Sequence, residues 1–116
     1  MNYGFIKVAS AVPSVKVADC KYNVEQIEQQ IILAEGQGVE IIVFPELSLT
    51  GYTCQDLFRQ NLLLETTESA MLMLLDFTRQ LNIISIVGLP IAVGDLLLNC
   101  AAIIQKGQIL GIVAKE

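Results

Sequence analysis

Ile41-Ile42-Val43-Phe44-Pro45-Glu46-Leu47-Ser48-Leu49-Thr50-Gly51-Tyr52 decides how this chain folds. Four apolar residues, too few for a helix, run straight into a proline that cannot donate to a ladder, so residues 41–44 read as a short, fully apolar strand. Glu46 follows two residues later, at the carboxyl end of the strand, where α/β proteins commonly place ligand crevices. A carboxylate among Pro45, Leu47, Leu49 and nearby aromatics is expected to lose part of its hydration. That loss raises its pKa and makes it a proton acceptor near neutrality. On the residues alone, a solvated loop carboxylate or one that caps a backbone amide is the favoured reading, since single carboxylates are common in loops.

Upstream, Phe5-Ile6-Lys7-Val8-Ala9-Ser10-Ala11-Val12 is apolar, partly β-branched and stopped by Pro13. It reads as a buried first strand. From Asn23 the period changes, with Val24, Ile27, Ile31 and Ala34 on one helical face and Glu25, Gln26, Gln29 and Gln30 on the others. Asn23 is the expected cap, with Gln26 reaching back to it, and Gly36 and Gly38 end the helix. Strand, helix and strand within about forty residues form a βαβ-like unit.

Downstream, a loop is expected through Ser48, Thr50, Gly51 and Thr53. Thr66 or Thr67 is the expected cap of a second helix, whose Met71, Leu72, Leu74, Leu75, Thr78 and Leu81 give a wide apolar face. Ile83–Gly88 is a third strand. Beyond it, apolar runs at Ile91–Val93, Leu96–Ile104 and Ile109–Val113 are separated by Gly94-Asp95 and Lys106-Gly107, dipeptides that suit hairpins.

The 116 residues carry a net charge of −5, with 53% hydrophobic and 16% charged residues. That is apolar for so small a domain and suggests surface that belongs against missing partners. Seven scattered Lys and Arg residues speak against nucleic acid as a partner. No apolar run reaches the roughly 18 residues that span a bilayer, and no signal peptide opens the chain, so no membrane partner and a cytoplasmic location are expected. Cys20, Cys54 and Cys100 are widely spaced and the chain has no histidine. Neither a zinc site nor a disulfide framework is expected, and no Gly-rich phosphate loop is present, so the chain itself is expected to bind no metal or cofactor.

The run from Ile41 through Gly51-Tyr52-Thr53-Cys54-Gln55-Asp56-Leu57-Phe58 resembles the carbon–nitrogen hydrolase (nitrilase) superfamily. The extension after Tyr52, together with Val15-Lys16-Val17-Ala18-Asp19, is most similar to the glutamine amidotransferase domains of glutamine-dependent NAD synthetases. The resemblance implies an α/β chain forming part of a nitrilase-like αββα four-layer sandwich, with five strands and two helices. Residues 1–116 would be the amino-terminal portion of that hydrolase domain, since the family's fold needs more than twice this length.

Carried over residue by residue, Glu46 is the general base and Lys115 stabilises the oxyanion of the tetrahedral intermediate. Leu110-Gly111-Ile112-Val113-Ala114-Lys115 is similar to the family pattern, with Ala114 in place of the usual proline and Glu116 in place of a small hydroxyl residue. The nucleophilic cysteine is expected beyond Glu116, so this chain alone should lack glutaminase activity; Cys20, Cys54 and Cys100 lack the electropositive setting that activates a thiol. Glutamine is the implied substrate, a homo-oligomer the implied assembly, and ATP with Mg2+ belong to a synthetase domain outside this sequence. Two alternatives stay open: a nitrilase or ω-amidase acting on another small amide or nitrile, and a truncated, non-catalytic interaction module.

Overall fold

The computed structural model describes residues 4, 6–16, 19–45, 48–50 and 57–115, with residues 57–63 and 115 given by their backbone alone. In chain order the elements are β1 (Val8–Ser10), α1 (Cys20–Gly36), β2 (Ile41–Val43), α2 (Leu57–Phe77), β3 (Ile84–Val93), β4 (Leu96–Gln105) and β5 (Gln108–Lys115). The strands form one sheet in the order β1-β2-β3-β4-β5. The first three are parallel and joined through the helices; the last three are antiparallel and joined by hairpins.

Alternation along the strands decides which face the helices cover. Ser85, Val87 and Leu89 of β3 stand opposite Ile104, Ala102 and Cys100 of β4, and all six are buried. Of these, Val87, Leu89, Ala102 and Ile104 meet Val24, Ile27 and Ile31 of α1 and Ala70, Met71 and Leu74 of α2 in one cluster with Ile42. Their neighbours Ile84, Ile86, Ala101 and Ile103 belong to the opposite face and are only half-buried. One helix layer on one sheet is half of the expected four-layer sandwich, and the α/β class with five strands and two helices is as the resemblance implied.

The hairpins follow their sequences. Lys106 and Gly107 have φ of 51° and 76°, the pair of left-handed residues whose twist matches flanking strands. Gly107 is required twice, because a Cβ there would also lie 3.2 Å from the Leu75 carbonyl oxygen of α2. Its N–H donates to Thr78 Oγ1 at 3.3 Å, which ties this turn to the end of the helix.

Several expectations are corrected. The first strand covers only residues 8–10 and is not buried: Val8 is 58% exposed, because β1 is the sheet edge with β2 as its one neighbour. Phe5 lies outside the described residues. Helix α1 starts three residues before Asn23, capped by Asp19, whose Oδ1 accepts from Tyr22 N at 3.1 Å. Asn23 is wholly buried inside the helix.

Helix α2 begins at Leu57, so Thr66 and Thr67 are interior residues. Leucine, arginine and glutamine before them are good helix formers, and threonine hydroxyls find local partners without ending a helix; here Thr66 Oγ1 lies 3.6 Å from Cys20 Sγ. The helix ends at Phe77, leaving Thr78 and Leu81 beyond it, and Leu72 is 62% exposed. Residues 83–88 and 91–93 are not separate runs: β3 passes through Pro90, which lies beyond the stretch paired with β2 and therefore faces a ladder on one side only.

Candidate active site

Beside the half-buried face lies a hollow of about 430 Å³, at the carboxyl end of β2. Phe44 and Pro45, which lead into Glu46, form part of its wall, and Val113 and Ala114, which lead into Lys115, form another. Gly88, Asn99, Cys100 and Ala101 also line it, between the two. Glu46 itself lies outside the described residues. Lys115 is the last residue of β5, paired with Asn99 of β4. Sequence positions 45 and 114 thus reach one hollow because β2, β3, β4 and β5 are consecutive neighbours in the sheet.

The backbone on either side of Glu46 is hydrogen-bonded to β3. Phe44 N donates to Ile86 O at 2.9 Å, and Leu49 N donates to Gly88 O at 3.1 Å. Gly88 N in turn donates to Ser48 Oγ at 3.0 Å. Ser48, Leu49 and Thr50 are all buried, so the expected loop is in part a packed turn; Gly51, Thr53 and Cys54 lie outside the described residues.

A second set of bonds reaches the same turn from α1. Asn23 Nδ2 donates to Leu49 O at 2.9 Å and to Lys16 O at 2.8 Å, while Asn23 Oδ1 accepts from Lys16 N at 2.7 Å. The segment carrying Lys16 also lies on the first turn of α1, with Lys16 Nζ 4.2 Å from the Tyr22 ring centre and Ser14 Oγ 2.8 Å from Tyr22 Oη. Sequence reading assigned Asn23 to a cap and gave Ser48 no role. The signal was present for Asn23: it sits on the stripe of Cys20, Val24, Ile27 and Ile31, where a polar residue without a buried partner is costly.

Cys20 and Cys100 are buried thiols. Cys20 Sγ lies 3.6 Å from Thr67 Oγ1 in the α1–α2 contact, remote from the lining of the hollow, and Cys100 Sγ lies 3.8 Å from Leu98 O. Among the described residues no group of three or more His, Cys, Asp or Glu is placed to hold a metal, and no helix is long and apolar enough to cross a membrane.

A parallel β-α-β unit carrying a hollow at the carboxyl end of its second strand defines an α/β chain with a candidate ligand crevice. The sequence profile of the Carbon-nitrogen hydrolase family matches residues 7–116, and the chain belongs to that family. It is 31% identical over 115 residues to the glutamine-dependent NAD(+) synthetase of Mycobacterium tuberculosis, spanning 99% of this chain and 17% of that protein. To the synthetase of Aquifex aeolicus it is 39% identical over 100 residues, 86% of this chain and 17% of the relative. The structure of a glutamine-dependent NAD(+) synthetase from Cytophaga hutchinsonii superposes with a TM-score of 0.85 at 30% identity, over 96% of this chain and 19% of the other. The chain thus spans about a sixth of the length of the curated relatives it matches.

Proposed function

We propose that this chain is the amino-terminal part of a glutaminase domain that feeds ammonia to NAD synthesis. The observation that carries the reading is the shared hollow, whose wall is built from the residues leading into Glu46 and into Lys115. The similarity to glutamine-dependent NAD(+) synthetases supports glutamine as the amide.

In this reading the Glu46 carboxylate takes the proton of a cysteine thiol supplied by a later part of the protein, and the sulfur attacks the glutamine amide carbon. The Lys115 ammonium holds the oxyanion, a role that suits a fixed charge beside a largely apolar hollow. Glu46 hands that proton to the amide nitrogen, which leaves as ammonia, and the carboxylate so restored takes a proton from the water that hydrolyses the thioester to glutamate and frees the thiol. ATP and Mg2+ act elsewhere, in a synthetase domain that amidates deamido-NAD. The 116 residues alone are inactive in this reading, because a base and an oxyanion partner make no thioester without a nucleophile.

Ammonia release from glutamine by the full-length protein tests it. Loss of release in Glu46→Gln and in Lys115→Ala, with ATP-dependent amidation from free ammonia retained, is the expected result. Glutaminase activity that survives both substitutions overturns the reading.

A further inference from the structure

We propose that Asn23 and Ser48 are positioning residues for the general base, fixing the backbone just after Glu46 to α1 and to β3. The inference rests on the reading of Glu46 as base and adds to it which side chains of this chain hold the base in place.

Asn23 is fully buried on an otherwise apolar helix stripe. For the helix and the core alone, an aliphatic residue would serve better, since a carboxamide carries a desolvation cost and a weaker helix preference. Among the described residues its three side-chain hydrogen bonds all leave α1, two to the backbone of Lys16 and one to Leu49 O. None of them stabilises the helix that carries it.

Ser48 makes the complementary attachment. It is 2% exposed, and its Oγ accepts from Gly88 N at a point where β3 has passed the end of β2. Phe44 and Leu49, five positions apart, therefore bond to β3 residues only two positions apart, Ile86 and Gly88. In sequence, position 46 falls between these two bonded residues. An ångström of misplacement at a reacting group costs up to about a hundredfold in rate, so attachment this dense has a catalytic use.

The test compares Asn23→Ala, Asn23→Asp, Ser48→Ala and Ser48→Thr in the full-length protein. Asn23→Ala and Asn23→Asp, which remove the amide donors, are expected to lower kcat for glutamine hydrolysis about a hundredfold with KM little changed. The acid limb of the pH–rate profile should move, and hydrogen exchange should quicken at Leu49 and Gly88 but not along the β3–β4 ladder. Ser48→Ala is expected to lose about tenfold, and Ser48→Thr, which keeps the hydroxyl, to recover most of it. If Asn23→Ala does not fold, the two Ser48 variants decide alone. Unchanged kcat and pH profile in folded Ser48→Ala overturn the inference. A parent protein that releases no ammonia from glutamine overturns instead the reading on which it rests.

Discussion

The two ends of the hollow are built differently. Around Glu46 the chain supplies its own scaffold: Phe44 and Leu49 are buried and bonded to a central strand, and Asn23 and Ser48 add side-chain ties. Around Lys115 the support is one-sided. β5 is the sheet edge, held by β4 alone, and Leu110, Ile112 and Val113 are 54%, 50% and 59% exposed. The Phe44–Leu49 end is held by contacts within the described residues, whereas β5 leaves much of its apolar surface open. An exposed apolar edge strand is unusual on a soluble monomer and invites pairing.

The sharpest way to break this contrast is chemical. Glu46→Gln in the full-length protein is expected to lower glutamine hydrolysis roughly a thousandfold, the range general-base removal commonly gives. A loss below tenfold in a steady-state ammonia assay would mean that the well-scaffolded end does not carry the base.

Stability should divide along the same line. Leu74→Ala, in the core under α2, is expected to cost about 3 kcal/mol, and Val113→Ala on β5 less than about 0.5 kcal/mol. Denaturant unfolding of the full-length protein checks the first. A large loss for Val113→Ala there, absent in the 116-residue chain, would identify packing on β5 by the rest of the protein. Sedimentation of the isolated chain at several concentrations adds to this. Self-association or poor folding is expected, and a monomer with a sharp cooperative transition at every concentration would remove the need for a partner on β5.

Two smaller effects test the helix-covered side. Ser85 Oγ is buried and is without a hydrogen-bond partner among the described residues. Removing it in Ser85→Ala is expected to raise stability by about 1 kcal/mol, read as a higher denaturation midpoint. Burial, and then the neighbouring Glu25 carboxylate, raise the pKa of Glu28 on α1. A carboxyl whose folded pKa lies above its unfolded value destabilises the fold only where it is ionised. Glu28→Gln is therefore expected to stabilise the chain slightly at neutral pH, with the gain vanishing as pH falls through the ordinary carboxylate range near 4.5. A gain that persists at low pH would assign it to something other than charge.

Much of the fold was legible because it is encoded locally. The Ile41–Phe44 run before Pro45, the stripe of Val24, Ile27 and Ile31, and the Lys106-Gly107 turn each state their structure within a few residues. Boundaries were less legible. Thr66 and Thr67 look like caps, and nothing local reveals that good helix formers before them carry α2 back to Leu57. Val8 looks like core, and only its place at the sheet edge exposes it. Pro90 looks like a break between strands, and only the short reach of β2 lets β3 run through it.

The sequence by itself determined the family, the α/β alternation, the hairpin half and the two candidate residues, because these depend on motifs and on the periods of helix and strand. Tertiary structure alone decided that Pro45 and Ala114 line one hollow, since strand order brings together positions far apart in the chain. It also decided that Asn23 is a buried tie and not a cap. A carboxamide can satisfy its hydrogen bonds in either place, and which place it takes depends on whether a distant backbone, here that of Lys16 and Leu49, arrives within reach.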